Sequence, residues 1–132
     1  MPDIHKHLTI NASPDWVWAA LTDATTMSIW MQSNTVAVDL RVGGSYSIFN
    51  GQITGKFIHI NPYSLLEYSW RQENWQPNWE DSLVRWELHE EGKNTRLYLI
   101  HTRLPNTLER DSHEGGWEMY WLAPMKDWLE NG

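Results

Sequence analysis

Asp81–Arg103 reads DSLVRWELHEEGKNTRLYLIHTR, and this stretch decides the fold. Val84, Trp86 and Leu88 alternate with Arg85, Glu87 and His89, the period-two pattern of a strand with one buried and one wet face. Glu91-Gly92-Lys93-Asn94 turns the chain back. Leu97, Leu99 and His101 then share a face of a second strand, Thr95–Arg103. After Pro105 the period becomes helical. Trp117, Trp121, Met125 and Trp128 fall on one stripe of a helix predicted over Leu108–Asn131. An apolar sheet face and an apolar helix stripe in one chain must cover each other.

Working outward from this stretch, the same two periods recur. His5 to Asn11 alternates, with Leu8 and Ile10 on one face, and reads as the first strand. Ser13 and Pro14 suit the N-cap and first turn of a helix over Pro14–Thr22. Asp23 or Thr25 can cap a second short helix carrying Met27 and Trp30. Val36, Val38 and Leu40 alternate until Gly43-Gly44 breaks the run at a bend or bulge. Ser45–Phe49 and Gln52–Ile60 form a hairpin around Asn50-Gly51. Asn61-Pro62 is a turn, and Leu66, Tyr68 and Trp70 alternate with Glu67 and Ser69. Residues 72–80 form a polar loop holding Trp75 and Trp79. The predicted class is α+β, with a curved antiparallel sheet of about six or seven strands around a long C-terminal helix and two short helices after strand 1. This is a helix-grip arrangement, expected as one domain over residues 1–132.

Composition narrows the partners. The chain has 132 residues, ten of them Trp, no Cys, and a formal charge of −7. Absence of cysteine excludes disulfides, zinc–thiolate sites and cysteine nucleophiles. No basic face is available for phosphate neutralisation, so nucleic acid is not expected as a partner. No apolar run approaches the ~20 residues of a membrane span. The N-terminal residues lack the apolar core of a signal peptide, and a cytoplasmic protein is expected. The aromatic content predicts an aromatic interior.

Several segments together carry a resemblance. They are Ala12-Ser13-Pro14-Asp15-Trp16-Val17-Trp18-Ala19-Ala20-Leu21-Thr22, Asp39-Leu40-Arg41-Val42-Gly43-Gly44, Leu66-Glu67-Tyr68-Ser69-Trp70, Asn94-Thr95-Arg96-Leu97 and His113-Glu114-Gly115-Gly116-Trp117. In this order the chain resembles the bacterial branch of the heat-shock-protein-90 ATPase activator-like family, within the START-like or SRPBCC superfamily. The resemblance implies the helix-grip fold of the birch-pollen allergen and START domains. It also implies a cavity between sheet and long helix that takes lipids, polyketides or other apolar molecules. It carries no reaction, since fold is a poor guide to function. Pro124 departs from the pattern: it removes one helical hydrogen bond and crowds the carbonyl of Tyr120, so a kink is expected there.

The residues expected to line that cavity are Tyr68, Trp70, Trp86, Leu97, Leu99 and His101 from the strands, with Trp117, Trp121 and Met125 from the helix. His101 is the candidate acid–base residue, although a buried, hydrogen-bonded histidine is the reading preferred for the position. No carboxylate on its strand face supports a dyad. His113-Glu114-Gly115-Gly116-Trp117 lacks the spacing of a zinc motif and reads as a helix entry, its glycines allowing close approach to the sheet. His5-Lys6-His7 lacks a third metal ligand, and no cofactor is expected. The leading expectation is a binder of a hydrophobic or aromatic small molecule. The alternatives are a co-chaperone or interaction module, with Trp75 and Trp79 as exposed anchors, and a cyclase-type enzyme using His101. An open cavity of ~300 Å3 or more favours small-molecule binding, and a filled core favours the interaction module.

Overall fold

The computed structural model describes residues 3–33 and 35–131. Seven strands alternate with helices in the predicted order: β1 (Ile4–Ile10), α1 (Pro14–Thr22), α2 (Ala24–Met31), β2 (Ala37–Val38), β3 (Ser45–Ile48), β4 (Ile53–Asn61), β5 (Leu65–Gln72), β6 (Ser82–Glu91) and β7 (Asn94–Thr102). The C-terminal helix follows in three parts, α3 (Thr107–Gly116), a π-helical turn (Trp117–Leu122) and α4 (Ala123–Asn131). All strand pairs are antiparallel, and the sheet order is β1-β7-β6-β5-β4-β3-β2. Hairpin connections explain most of that order. The exception is β1, which crosses to pair with β7 and forms one edge of the sheet. Among the described residues no helix is long and apolar enough to cross a membrane.

Register aligns the apolar faces. Trp86 stands opposite Leu66 on β5 and Leu99 on β7, and Val84 opposite Tyr68 and His101. One sheet face therefore carries a continuous apolar layer, and the C-terminal helix lies against it. Trp86, Leu97, Leu99 and Trp121 are all buried, as alternation and the helical stripe require. On α2, the Asp23 side chain accepts the Thr26 N–H at 3.0 Å, satisfying one orphan donor of the first turn. Ser13 occupies the N-cap of α1, but its side chain makes no cap bond and its hydroxyl goes to Asp15 instead.

Four local expectations are corrected. The run Val36–Leu40 gives only a two-residue strand, and Leu40 is exposed, because the turn Arg41–Gly44 takes over (Gly44 N–H to Arg41 O, 2.8 Å). The β3–β4 hairpin does not pivot on Asn50-Gly51 alone. Phe49, Asn50 and Gly51 all adopt positive φ (53°, 58° and 81°), so the strands end at Ile48 and resume at Ile53. Extending β3 through Phe49 would send its ring to the face opposite Ile48, whereas the left-handed turn leaves it packed on the core. The segment His113–Trp117 is not a helix entry, since Asn106 caps the helix by accepting the Glu109 N–H at 2.8 Å. Nor do its glycines permit a close approach: a Cβ on Gly115 would meet nothing within 4 Å.

The irregularity expected at Pro124 takes the form of the π turn, in which Ala123 N–H bonds Glu118 O, one residue beyond α-helical spacing. Proline cannot donate to Tyr120 O, and a widened turn just before it relieves that crowding. A close approach does exist at Gly55 on β4, where a Cβ would sit 1.9 Å from Ser69 O and 2.7 Å from the Tyr46 ring. Tyr46 crosses this gap to donate its hydroxyl to Ser69 O at 2.6 Å. Gly55→Ala is expected to destabilise the fold by about 1–3 kcal/mol in urea titration, the range for overpacking. An unchanged midpoint would mean that the strands part freely there.

Candidate functional site

Two histidines organise the space between sheet and helix. His101, on β7, is fully buried and 2.7 Å from Ser82 Oγ through its Nε2, while the Trp117 indole N–H donates to its Nδ1 at 3.0 Å. An indole N–H only donates, so Nδ1 is the bare acceptor and Nε2 carries the proton. Ser82 in turn donates its own proton to Trp70 O at 3.0 Å. His113, on α3, repeats the logic in the opposite tautomer. Trp70 Nε1–H donates to its Nε2 at 3.1 Å, and its Nδ1–H reaches Glu109 O at 2.8 Å. The two imidazoles lie 5.4 Å apart. Burial holds the His101 pKa well below its ordinary 6.5, with the neighbouring His113 adding to the effect. Burial also lowers that of His113, opposed by the Glu109 carbonyl and carboxylate.

The Ser82–His101 pair is the one arrangement here that looks nucleophilic, and sequence reasoning missed it. Ser82 faces His101 diagonally across the β6–β7 ladder, a neighbour that only the register creates. Its polarity is wrong for catalysis, however. A general base must accept the nucleophile's proton, but His101 donates to Ser82 and the serine proton points at a backbone carbonyl. Both residues are fully buried. His101 is thus placed as a satisfied core polar group.

The nine residues expected to line a cavity divide into two sets. All nine are buried, and Tyr68, Trp86, Leu97, Leu99, His101 and Met125 do not border the pocket. Trp86 donates its indole N–H to Tyr68 OH at 2.9 Å and stacks on Trp121 at 6.0 Å. Trp70, Trp117 and Trp121 instead form one wall of a half-open pocket of about 150 Å3. Phe49 and Ile53 of the β3–β4 hairpin close it from one side, and Gln72 stands at the end of β5. Ser112, His113, Gly116 and Tyr120 complete it from the helix. The expected large cavity is therefore mostly filled, because indole rings occupy the volume that smaller side chains would leave open. A polar cleft on β3–β5 (Ser45, Thr54, Lys56) and a groove beside Trp16 and Trp128 are surface features away from this interface.

His113 was legible in principle. It precedes Trp117 by four residues, so the buried stripe of the helix extends one turn further back than its tryptophans. The hairpin residues carried no comparable signal. Phe49 enters the pocket only through its left-handed backbone, a conformation costly for a bulky side chain. The π turn acts similarly, since Gly116, Trp117, Tyr120 and Trp121 border or lie within it.

Trp75 corrects the picture of the 72–80 loop. It is buried, donates its indole N–H to Glu109 Oε1 at 2.8 Å, and packs against His113 at 5.9 Å and Trp79 at 6.2 Å. The loop is folded onto α3 and pinned by Arg71, which donates to Trp79 O (2.6 Å) and Gln76 O (2.7 Å). It offers no exposed Trp75 anchor.

A seven-stranded antiparallel sheet gripping a C-terminal helix, with a reduced aromatic pocket at their junction, defines a helix-grip protein of the SRPBCC class. The chain belongs to the family described as activator of Hsp90 ATPase homolog 1-like protein, which it matches over residues 11–130. An HSP90 activator from Plasmodium falciparum has a similar structure, with a TM-score of 0.88, 26% identity, and coverage of 98% of this chain and 96% of that one. CalU16 from Micromonospora echinospora superposes with a TM-score of 0.81 at 30% identity, covering 96% of this chain and 73% of that one. An uncharacterized protein of Schizosaccharomyces pombe is 23% identical over 124 residues, 94% of this chain. The chain spans 36% of the length of that curated relative.

Proposed function

We propose that this chain is a cytoplasmic binding protein, a single domain that takes one small, planar apolar ring in the pocket between the β3–β4 hairpin and the C-terminal helix. The observation that carries the reading is the pocket itself, walled by Trp70, Trp117 and Trp121 and open on one side. A volume of about 150 Å3 is about that of an apolar protein cavity that accepts benzene. It falls below the roughly 300 Å3 that the sequence reading set for small-molecule binding in general, so a lipid chain or fused polyketide is excluded and the reading narrows to a single ring. The reading does not extend to catalysis, because neither histidine presents a free nitrogen to the pocket.

Single-ring aromatics are expected to quench or shift the tryptophan fluorescence with dissociation constants below about 1 mM, a binding free energy near −4 kcal/mol. Gly116→Leu should abolish that response. Gly116 has helical dihedrals (φ −63°, ψ −40°) that leucine adopts without strain, and its side chain would occupy pocket space. If no such compound binds, or if Gly116→Leu binds equally well, the reading fails.

A second reading is favoured by the likeness to the HSP90 activator. Met119 and Tyr120 are both exposed on the π turn, and Tyr120 borders the pocket, so that a protein surface could seat there. In that case the chain raises the ATP turnover of an Hsp90-type ATPase, and Met119→Ser with Tyr120→Ser removes the effect. An unchanged turnover on adding the chain rejects this reading.

A further inference from the structure

Resting on the pocket-binding reading, we infer that the ligand ring carries a hydrogen-bond acceptor, as in a single-ring aromatic ketone or aza-aromatic, and that the indole N–H of Trp121 recognises it. The pocket wall holds three indole N–H groups. Those of Trp70 and Trp117 are committed to His113 and His101. That of Trp121 has no hydrogen-bond partner among the described residues. It is not sealed away either, since Asp3 Oδ1 is the one side-chain polar atom among them that is both enclosed and unpartnered. Trp121 is only 3% exposed, and it belongs to the pocket wall. A donor that is neither bonded nor enclosed keeps some accessible surface, and that surface is assigned to the side of Trp121 that lines the pocket.

The chemistry of the complement follows. An indole N–H donates and never accepts, so it selects a carbonyl oxygen or a ring nitrogen and gains nothing from a hydrocarbon or a second donor. The histidines cannot redirect it, because each already accepts from another tryptophan. Ring geometry limits the ligand's shape, since Trp117 lies 4.9 Å from Trp121 and 4.8 Å from Trp70, leaving no gap between the indoles. The ligand therefore lies against this wall with its acceptor toward Trp121. Gln72, whose amide both donates and accepts, also lines the pocket.

The test compares acetophenone with α-methylstyrene, which share a trigonal side-chain carbon and the same heavy-atom count but differ in the acceptor. Binding of each is measured by titration against the wild type and Trp121→Phe. The substitution trims the wall for both ligands, and it should weaken acetophenone about threefold to tenfold more than α-methylstyrene, the loss of one neutral hydrogen bond. In the wild type, the assigned Trp121 indole N–H resonance should move downfield with acetophenone only, a readout that stands even if the variant does not fold. Equal losses for both compounds, or an unmoved resonance with acetophenone bound, overturn the inference and leave the pocket reading intact. Failure of both compounds to bind the wild type overturns the pocket reading and this inference with it.

Discussion

Trp86→Ala is expected to destabilise the protein by about 3–5 kcal/mol, the range for removing a large core aromatic. Trp86 is fully buried on the central strand β6, between Leu66 on one side and Leu99 on the other. Its ring meets Trp117 edge-on at 5.6 Å and stacks on Trp121 at 6.0 Å. Truncation leaves a cavity that a hydrogen-bonded central strand, flanked by β5 and β7 and covered by the helix, cannot collapse to fill. It also strips the Tyr68 hydroxyl of its indole donor. The urea midpoint should fall with the slope unchanged, because the surface exposed on unfolding stays nearly the same. Trp16→Ala serves as the control: Trp16 is 60% exposed, and its loss should stay within about 0.5 kcal/mol. A loss below about 1 kcal/mol for Trp86→Ala would show that the core repacks around the gap.

Acidification is expected to weaken the fold steeply below pH 6.5, and the two buried histidines are the cause. Each accepts an indole N–H at one ring nitrogen. Protonating that nitrogen would set two donors against each other in a buried site. Both folded-state pKa values are lowered by burial from 6.5. Between 6.5 and the folded values, the unfolded chain binds protons that the folded chain refuses. Stability therefore rises with pH through this window and is lost as the pH falls. The limiting slope is about 1.4 kcal/mol per pH unit for each histidine, and about twice that while both are engaged.

Several carboxylates act only lower down. Asp23 is lowered from 3.8 by the Thr26 hydroxyl, and Glu130 from 4.5 by Lys126, so their stabilising effect persists until the pH falls below those ordinary values. Urea midpoints at about pH 7.5, 6.5 and 5.5 should therefore report the histidine regime alone. His101→Gln and His113→Gln should each flatten it by that residue's share. A midpoint constant from pH 7.5 to 5.5 would show that both imidazoles accept protons without leaving their network.

The sequence by itself determined the layers. Alternation in Leu65–Gln72, Ser82–Glu91 and Asn94–Thr102 put Tyr68, Trp70, Trp86, Leu97, Leu99 and His101 on one face. The helical stripe gave Trp117, Trp121 and Met125 as their cover. These assignments depend on local periods of two and 3.6, which any single segment displays. Tertiary structure decided the rest, because each remaining feature depends on groups distant in sequence. The polarity of His101 comes from Trp117 and Ser82, brought to it by the helix and by the strand register. Trp75 sits in a polar stretch yet is buried, because α3 supplies Glu109 for its indole N–H. The pocket's size follows from how ten tryptophans share one interior. A period tells which way a side chain points; only the packed structure tells whether another side chain already fills the space it points into.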